Sequence, residues 1–377
     1  MVSEKSLVQR LAELRADAPV SLPSHPDVAV WRAPTEADID AIHAVAVAAD
    51  TVDHPTWTTP REEIADTFDL PHIDHARDSL VALDASGTII AFGSSFLHPA
   101  RAGALTAHLG GAVHPQWRRR GIGTVLLRWQ RARGLEQLAQ AAAEIEAAET
   151  DAAVATSAAA DEPAASDEAN PTTPTPRTAD LKLYGEESQP DQQRLAERAG
   201  FTAERWFTSM ERDMSAPLPT PPAPEGITIV AYTHERDDDA RLARNDAFRD
   251  HWGSLPSQPE SWAKFVGGPF FRADLSRLAL DAEGAIVGFC LASVNEDDWQ
   301  TLGATNSYID LIGVVRAHRR RGVAPFVIAA TLAAIGEAGL ERAVLDVDTA
   351  SPTGANSLYE GLGFVATERS VALVTRI

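Results

Sequence analysis

Cysteine is nearly absent from this chain of 377 residues, which contains only Cys290. A single cysteine excludes an internal disulfide and a zinc site built from cysteines, and it suits a reducing compartment, so we expect a cytoplasmic protein. No run of 18 apolar residues occurs, and therefore no transmembrane helix is expected. The N-terminus carries charges throughout and lacks the apolar core of a signal peptide. It predicts instead a short amphipathic helix over about Lys5–Arg15.

Basic residues are also few, since 33 Lys and Arg stand against 54 Asp and Glu, for a net charge of −21. A strongly acidic protein binds nucleic acid phosphates and anionic lipid poorly, so neither is expected as a partner. The hydrophobic fraction of 44% is ordinary for a globular protein with a real core. At roughly 150 residues per domain, the length favours two domains or slightly more.

Two segments differ from the rest in composition. The segment Glu149–Thr178 is built mainly from Ala, Asp, Glu, Ser, Thr and Pro and has no aromatic residue. Because such a segment buries too little apolar surface to offset its ordering entropy, we expect a disordered acidic insert. The second segment, Pro217–Gly226, holds five prolines, which favour a stiff and extended linker.

The chain contains an internal repeat on either side of that linker. Each copy shows a strand, a glycine turn, a second strand, and a third strand that runs into Arg-Arg-Arg-Gly and a helical pattern. Each copy later has a short helix that ends in Gly-Phe, at Phe201 and at Phe364. The distance from Gly121 to Phe201 is longer than that from Gly322 to Phe364 because the acidic insert lies in the first copy.

The repeat predicts two α/β domains, each with a mixed sheet, since helices and hairpins alternate. We expect an N-terminal helical extension over 1–26, an N-terminal repeat over 27–215, a linker over 216–226 and a C-terminal repeat over 227–377. In the C-terminal repeat the pattern predicts strands at Ile227–Thr233, Ser276–Asp281, Ala285–Val294, Ser307–Val315, Ala343–Asp348 and Val371–Arg376. It predicts helices at Glu235–His251, Glu260–Val266, Val323–Ala338 and Gly354–Leu362.

The Arg-Arg-Arg-Gly segments predict anion-binding loops. Each follows an apolar strand and opens an apolar helix, whose first N–H groups have no intrahelical partner and carry partial positive charge. Small residues let these amides approach a pyrophosphate, and arginines add charge and forked donors. Neither a Walker loop nor a dinucleotide fingerprint is present. A basic helix start that serves only packing or solubility is the alternative, and the occurrence in two copies makes it less favoured.

The loop pattern, together with the later helix ending LYEGLGF, resembles the GNAT superfamily of acetyl-CoA-dependent N-acetyltransferases. The tandem arrangement resembles mycothiol synthase and related actinobacterial double-GNAT proteins. The resemblance implies acetyl-CoA as the donor substrate, no metal, and a small-molecule amine as the acceptor of direct acetyl transfer. The implied cofactor-binding residues are Ile312, Gly313, Val314, Arg319, Arg320, Arg321, Gly322, Val323 and Ala324, and in the N-terminal repeat Gly111, Ala112, Val113, Arg118, Arg119, Arg120, Gly121, Ile122, Gly123 and Thr124. Pro325 departs from the pattern, because proline removes one N–H from the anion site.

The C-terminal repeat carries the candidate catalytic residues. Tyr359 in LYEGLGF is the predicted general acid, since the resemblance places this tyrosine beside the CoA sulfur, and Ala196 stands at the matching N-terminal position. Asp310 is the predicted base, because an aspartate is unfavourable inside an apolar strand and its presence asks for a reason, and a hydrogen-bonded structural aspartate is the alternative. Strand alternation would place Tyr308, Asp310, Ile312 and Val314 on one face. Their N-terminal counterparts on this count are Ala107 and Leu109, with His108 out of phase, so that copy is expected to lack catalysis.

Substrate contacts are predicted from Tyr308, Phe248, His251 and Trp252, with Trp262 in the next helix, although aromatic residues at the spacing of Phe248, Trp252 and Trp262 more often serve core packing. Two other functions stay open at this point. One is a CoA-binding sensor or interaction protein that has lost catalysis, and the other is a drug-modifying enzyme of the aminoglycoside acetyltransferase type. The sequence leaves the acceptor open, and a monomer and a homodimer are equally compatible with it.

Overall fold

A single mixed sheet of twelve strands runs through the whole molecule, with helices on both of its faces. The computed structural model describes residues 5–53, 58–99, 104–159, 178–249, 251–252, 254–350 and 354–377. The strands are β1 (Val30–Arg32), β2 (Ser79–Leu83), β3 (Ile89–Leu97), β4 (Ala104–Val113), β5 (Thr178–Glu186), β6 (Thr202–Asp213), β7 (Thr228–Ala231), β8 (Arg277–Leu280), β9 (Ile286–Ser293), β10 (Asn306–Val314), β11 (Arg342–Asp348) and β12 (Val365–Arg376).

The described part of the chain forms eleven α-helices. They are α1 (Leu7–Asp17), α2 (Ile39–Asp53), α3 (Arg61–Asp69), α4 (His75–Asp78), α5 (Ile122–Ala159), α6 (Pro190–Arg198), α7 (Asp237–Ala247), α8 (Pro259–Gly267), α9 (Asp297–Leu302), α10 (Val323–Glu337) and α11 (Ala355–Gly361). Helices α5 and α10 cover one face of the sheet, and α2, α3, α7 and α8 cover the other. The mixed α/β fold predicted from the sequence is confirmed.

The two repeats exchange their last strands. The order of strands in the sheet is β1-β2-β3-β4-β5-β12-β6-β11-β10-β9-β8-β7. Strand β12, from the end of the chain, pairs antiparallel with β5 of the N-terminal repeat, while β6 pairs antiparallel with β11 of the C-terminal repeat. The exchanged strands also pair with each other. Neither repeat therefore completes its own sheet.

Side chains on the exchanged strands fill the core of the opposite repeat. Val371 and Leu373 of β12 are buried with Leu181 and Phe201 of the N-terminal repeat. Met210 of β6 is buried in the core beneath α10. Since burying one large apolar side chain is worth about 1.5–3 kcal/mol, each repeat supplies part of the stability of the other.

The side chain of Arg212 on β6 links the two repeats by hydrogen bonds. Its side chain is almost fully buried, and its Nε donates a hydrogen bond to the carbonyl of Leu362 at 2.9 Å. Its Nη2 donates to the carbonyl of Pro217 at 2.7 Å. A residue of the N-terminal repeat thereby holds both the end of α11 and the start of the linker.

The prediction of disorder from Glu149 onwards was wrong for the first part of the segment. Helix α5 continues to Ala159, and the remaining residues, 160–177, lie outside the described residues. Five of the eleven residues from Glu149 to Ala159 are alanine, which favours a helix. A polar segment can continue a helix that has already been nucleated.

The elements predicted for the C-terminal repeat are all present, with ends shifted by a few residues. Two pieces were not predicted, namely the short helix α9 and the first half of β12, where exposed polar residues gave no alternating pattern. The predicted N-terminal helix is α1, which Ser6 and Gln9 begin as a capping box. Residues 217–224 of the linker form neither helix nor strand.

Candidate active site

A wedge opens in the sheet where β10 leaves β11. These parallel strands pair only from Asn306 to Tyr308, and β10 then continues to Val314 bonded to β9 alone. The backbone edge of Ile312, Gly313 and Val314 therefore faces an open gap, as the predicted contact with a pantetheine arm requires. The N-terminal repeat has the same wedge, because β4 and β5 pair only as far as His108.

The wedge in the N-terminal repeat depends on a glycine. Gly111 has φ +145°, and a Cβ at this position would lie 2.3 Å from the carbonyl oxygen of Phe92. No side chain fits there. Gly111 therefore lets β4 pass close to β3 at the point where the gap begins.

The predicted anion loops have the same backbone shape in the two repeats. Arg320 and Arg119 both have φ +61°, and the glycines that follow, Gly322 and Gly121, have φ +82° and φ +96°. Positive φ is uncommon for arginine, so its occurrence at matching positions shows that the loop geometry is imposed by its surroundings. Gly322 directly precedes α10. Pro325 is the third residue of α10, where it removes one of the free amides from the loop.

The first arginine of each loop is tied to protein groups. Arg118 forms a bidentate ion pair with Asp53 at the end of α2, at 2.6 and 2.7 Å, and also donates to the carbonyl of Val113. Arg319 donates to the carbonyl of Ala247 at 2.7 Å and to that of Val314 at 3.3 Å. Both side chains thus fasten the loop to a neighbouring helix, and neither is free to serve as the phosphate donor that the sequence suggested.

The other loop arginines differ between the repeats. Arg320 and Arg321 are exposed and form no ion pair with any residue in the described part of the chain. Arg119, by contrast, lies 3.1 Å from a carboxylate oxygen of Asp191, and Arg120 stacks over the ring of Trp117 at 4.7 Å. The cations of the C-terminal loop are therefore available to an anion, while those of the N-terminal loop are partly engaged.

The N-terminal extension also covers the N-terminal loop. Nε2 of His25 lies 2.8 Å from the carbonyl oxygen of Arg120. The same ring would be 3.4 Å from a Cβ at Gly121. Access to this loop is thereby narrower than its backbone shape alone would indicate.

Asp310 is the extra residue of a β-bulge. The pairing of β10 with β9 shifts between Ile309, opposite Ala292, and Leu311, opposite Leu291, so Asp310 has no partner of its own. The bulge resets the strand alternation: Ile312 and Val314 pack with Ile309 beneath α10, while Leu311 packs on the opposite face. The prediction that Ile312 and Val314 share a face with Tyr308 was therefore wrong.

Among the described residues, one other side chain is hydrogen-bonded to the carboxyl group of Asp310. Oγ of Ser293 donates to Oδ1 at 3.1 Å, and Oδ2 is buried with no partner among the described residues. Burial raises the pKa of Asp310 to about 7, although the bond from Ser293 opposes the shift. A carboxyl group with this pKa changes its protonation state near neutral pH.

Tyr308 points to the face opposite Ile309 and donates a hydrogen bond from Oη to Oδ2 of Asp346 at 2.8 Å. Burial and the nearby Asp346 raise the pKa of this phenol well above its usual value. The strand pairing also corrects the comparison between repeats. Phe96 on β3 and Ser293 on β9 occupy matching positions in the two repeats. His108 pairs with Phe96, and Tyr308 pairs with Ser293. His108 is thus the true counterpart of Tyr308, and Asp310 has none.

Tyr359 lies on α11 with its side chain 8% exposed and its ring 6.0 Å from that of Phe364. It packs in the same core cluster as Cys290, the residue opposite Ile312 on β9. Burial and the nearby Cys290 raise the pKa of the Tyr359 phenol, so the phenol keeps its proton at neutral pH. The matching residue Ala196 lies in α6, the short helix that the sequence predicted before Phe201, and it is buried.

The predicted substrate residues are dispersed. Phe248 packs against Phe289, with ring centroids 6.4 Å apart, and belongs to the core between α7 and the sheet. His251 shares a 2.9 Å hydrogen bond with Ser254, and burial lowers its pKa. Trp262 is fully within the core. Tyr308 and Trp252 reach the centre of the sheet, and His251 lies near Asp348 of β11.

Trp252 extends from the C-terminal repeat onto strands of the N-terminal repeat. Its ring lies 4.5 Å from Nζ of Lys182 on β5, and its centroid is 6.3 Å from that of Phe207 on β6. Residues Asp180, Lys182, Tyr184 and Glu186 share this face of β5, because Leu181 and Leu183 point into the opposite core.

A row of carboxylates crosses this face and was not predicted from the sequence. Asp346 of β11 accepts hydrogen bonds from Tyr308 and Ser209. Burial raises the pKa of Glu186 to about 7, and the charges of Glu368 and Asp346 add to the shift. The alternating polar residues of β5 could have indicated a polar face on that strand. The other carboxylates of this face lie on β12 and β11, and these strands come near β5 only because the repeats exchange strands. The row links the two wedges.

No group of three or more metal-binding side chains occurs among the described residues. In the same part of the chain, no helix is both long enough and apolar enough to cross a membrane.

Comparison with known proteins agrees with this geometry. The sequence model of the Acetyltransferase (GNAT) family matches residues 42–157 and 238–364. The chain belongs to the GNAT acetyltransferase family. The two matched regions confirm the tandem arrangement that the loops and the LYEGLGF segment predicted.

Two relatives of this GNAT protein carry the name mycothiol acetyltransferase. The protein from Salinispora tropica is 33% identical over 193 residues, which are 50% of this chain and 60% of that protein. The protein from Frankia casuarinae is 27% identical over 282 residues, which are 71% of this chain and 70% of that protein. The chain thus spans about 60% of the length of the first relative.

Solved structures show the same fold over nearly the whole chain. A GCN5-related N-acetyltransferase from Sphaerobacter thermophilus covers 94% of this chain and 97% of its own, with a TM-score of 0.63 and 23% identity. A tandem GNAT protein from the clavulanic acid biosynthesis pathway covers 92% and 98%, with a TM-score of 0.57 and 14% identity. These likenesses concern the fold of the GNAT tandem and leave the acceptor open.

Proposed function

We propose that this protein transfers the acetyl group of acetyl-CoA to the primary amine of a small molecule, by direct attack of the amine, in the C-terminal repeat. The observation that carries the proposal is Asp310. It is a bulge residue in the open wedge, with one carboxylate oxygen buried and without a partner in the described structure. An orphan carboxylate is costly, and a reacting amine or a water would give it the missing hydrogen bond.

The wedge and the loop fit acetyl-CoA. Arg320 and Arg321, with the free amides up to Ala324, would hold the pyrophosphate. The open edge of β10 from Ile312 to Val314 would accept the pantetheine arm as an added strand. The thioester would then lie near the bulge.

Asp310 and Tyr359 have the protonation states that the reaction needs. The acceptor amine must lose a proton, and Asp310, with a pKa of about 7, is charged above neutral pH and can take it. The amine nitrogen then bonds to the thioester carbon, and the carbon–sulfur bond breaks. The phenol of Tyr359, kept protonated by its raised pKa, can give its proton to the departing thiolate.

The acidic face between the wedges suits a cationic acceptor. Asp346 is hydrogen-bonded to Tyr308, and the charges of Asp346 and Glu368 act on Glu186, while Lys182 on the same face offsets part of this negative charge. A protonated amine would be drawn to this surface before it loses its proton. Because relatives are named mycothiol acetyltransferases, the amine whose acetylation yields mycothiol is the acceptor to test first.

The N-terminal repeat is proposed to lack catalysis. It has no residue that corresponds to Asp310, and Ala196 replaces Tyr359. The pairing of Arg119 with Asp191 also leaves its loop less charged.

The test is release of CoA, measured by chromatography, from acetyl-CoA and a panel of amines that includes the mycothiol precursor and an aminoglycoside. We expect one amine to give turnover, and we expect Tyr359→Phe and Asp310→Asn to reduce kcat by about 100-fold or more. Asp239→Asn, an exposed change of the same kind, should have no effect. Binding of acetyl-CoA without turnover for any amine would favour a sensor, and full activity of Tyr359→Phe would refute its role as the acid.

A further inference from the structure

Lysine is rare in this chain, and one of its lysines differs from the others in its surroundings. Of the 33 Lys and Arg residues, only Lys5, Lys182 and Lys264 are lysine. Lys5 pairs with Glu13 at 2.6 Å and Lys264 with Asp69 at 2.8 Å, and their side chains are 58% and 37% exposed. Lys182 is 3% exposed and, within the described part of the chain, forms no hydrogen bond or ion pair. A buried ammonium group with unused donors is costly.

Arginine would serve a purely structural role at this position at least as well. The contact that Lys182 makes is with the ring of Trp252, whose centroid is 4.5 Å from Nζ, and arginine forms such contacts more often than lysine. A guanidinium group keeps its proton in proteins, whereas a buried lysine can lose its proton and act as a nucleophile. In a chain that otherwise uses arginine, a buried lysine therefore favours a chemical role for the amine.

Lys182 lies at the closed end of the N-terminal wedge. It forms with His108 the last pair that joins β4 to β5. The two side chains share the face of the sheet opposite α5, because Leu181 and Leu109 point into the core beneath that helix. Beyond this pair, Gly110 of β4 is exposed. The amine therefore borders the gap in which the N-terminal repeat would hold a pantetheine arm.

The thioester of acetyl-CoA in this wedge would lie close to the amine. In the C-terminal repeat the thioester is proposed to lie near the bulge that follows Tyr308, and His108 is the counterpart of Tyr308. The matching place in the N-terminal repeat is next to His108 and its partner Lys182. The N-terminal loop has the backbone shape of the C-terminal loop, with φ +61° at Arg119 and φ +96° at Gly121, so it would hold a pyrophosphate in the same relation to the wedge.

The surroundings of Lys182 favour its neutral, nucleophilic form. Burial lowers the pKa of the ammonium group and outweighs the opposing charges of Asp180 and Glu204. Burial and the charge of Lys182 lower the pKa of His108 to about 4, so the neighbouring imidazole is neutral at pH 7. Because Lys182 is 3% exposed, acetyl-CoA that is free in solution has little access to it.

We propose that Lys182 is a site of self-acetylation, and that its acetyl group comes from acetyl-CoA held in the N-terminal wedge of the same chain. The inference rests on the proposed use of acetyl-CoA as the donor, but it needs none of the C-terminal catalytic groups. The amine nitrogen bonds to the thioester carbon, the carbon–sulfur bond breaks, and the proton that the amine loses ends on the thiolate of CoA. Proximity alone drives this single event, which is not turnover. The product has no positive charge to contact Trp252.

The test is mass spectrometry of the full chain after incubation with acetyl-CoA that carries a trideuterated acetyl group. Peptide mapping assigns the label, and Lys5 and Lys264 are the controls, since they are more exposed and chemical acetylation in solution would modify them first. We expect Lys182 to be labelled at least about ten-fold faster than either of them. Lys182→Arg should remove this label alone. The rate should not depend on protein concentration, because donor and acceptor belong to one chain.

Variants of the two repeats identify the loop that supplies the donor. Gly121→Glu should slow the labelling of Lys182 by about ten-fold or more, because the added charge opposes the pyrophosphate. Arg119→Glu reverses the charge of a side chain that is 86% exposed, and it supplies the same test if Gly121→Glu does not fold. Asp310→Asn should keep the labelling while it loses turnover with amines, since the two reactions use different repeats.

The outcomes separate this inference from the proposed function. Turnover with an acceptor amine but no label on Lys182 would overturn the inference and leave the proposed function standing. Labelling of Lys5 and Lys264 as fast as that of Lys182, or labelling of Lys182 that survives both loop variants, would also overturn it. Absence of both turnover and labelling would contradict acetyl-CoA as the donor, and with it both proposals.

Discussion

The phenol of Tyr308 donates a 2.8 Å hydrogen bond to Oδ2 of Asp346, two residues beyond Val344, which forms with Tyr308 the last pair that joins β10 to β11. This bond closes the narrow end of the C-terminal wedge and sets Tyr308 beside the bulge that carries Asp310. It also connects the site to the carboxylates at the centre of the sheet, through the bond of Asp346 with Ser209 on β6. The candidate active site is therefore built from both repeats.

Asp310→Asn should remove the acidic limb of the pH profile. If Asp310 is the base, kcat/KM of the natural protein rises with pH up to about 7 and then levels, because only the charged carboxylate accepts a proton. The variant should lose activity by about 100-fold or more, and any remaining pH dependence should follow the pKa of the acceptor amine.

Ser293→Ala is the matched test of this assignment. The hydroxyl donates to the charged form of Asp310 and lowers its pKa, so its removal should move the acidic limb to higher pH while leaving the plateau nearly unchanged. A limb that stays in place in both variants would assign it to another group.

Gly322 and Gly121 occupy the same position in the loops of the two repeats, so the same substitution at each can be compared for its effect on acetyl-CoA binding. Gly322→Glu and Gly121→Glu introduce the same charge and a similar backbone strain, because both positions have positive φ. We expect Gly322→Glu to abolish detectable binding of acetyl-CoA and turnover, whereas Gly121→Glu should leave some activity. The measurements are titration with acetyl-CoA and steady-state rates; equal loss in both variants would contradict the assignment of chemistry to the C-terminal repeat.

Asp310 should also lower the stability of the protein at neutral pH. Its pKa is about 7 in the folded state and about 3.9 in an unfolded chain, so the folded state holds the proton more tightly. The free energy of unfolding then falls as pH rises from about 4 to 7 and stays low above that. Asp310→Asn should match the natural protein at pH 4 and be more stable at pH 8, by a few kcal/mol and at most about 4. Thermal unfolding at both pH values checks this, and a difference independent of pH would contradict it.

Leu373→Ala should destabilise the N-terminal repeat although it lies at the end of the chain. Leu373 is 1% exposed in the core formed with Leu181 and Phe201. Its truncation should cost about 2–5 kcal/mol. Urea unfolding followed by tryptophan fluorescence and by circular dichroism should give one shifted transition for both signals. Val365→Ala, on the same strand but 68% exposed, should change stability by no more than about 0.5 kcal/mol.

Much of the fold was predictable because the sequence contains it twice. Periodicity located the strands and helices, and the Arg-Arg-Arg-Gly segments with the helix before Phe364 indicated the family. The repeat alone also predicted the loop glycines and showed that Ala196 occupies the position that matches Tyr359, because spacing within each repeat is local information.

The site was less predictable because it depends on contacts between distant strands. The bulge at Asp310 changes which residues share a face, and no local pattern distinguishes a bulge from regular alternation. For the same reason His108 was judged out of phase, although pairing with Phe96 makes it the counterpart of Tyr308. The roles of Arg118 and Arg319 were missed because their partners, Asp53 and the carbonyl of Ala247, are remote in sequence.

The exchange of β6 and β12 constrains how this protein can be altered. Either half produced alone would expose one unpaired sheet edge, and its last strand would lack the neighbouring strand with which it pairs. Two such halves would therefore be expected to associate through those edges. An ancestral pair of identical chains, joined by the same swap, would have needed only the linker to become a single polypeptide. The fused halves could then diverge in chemistry, but neither could be lost.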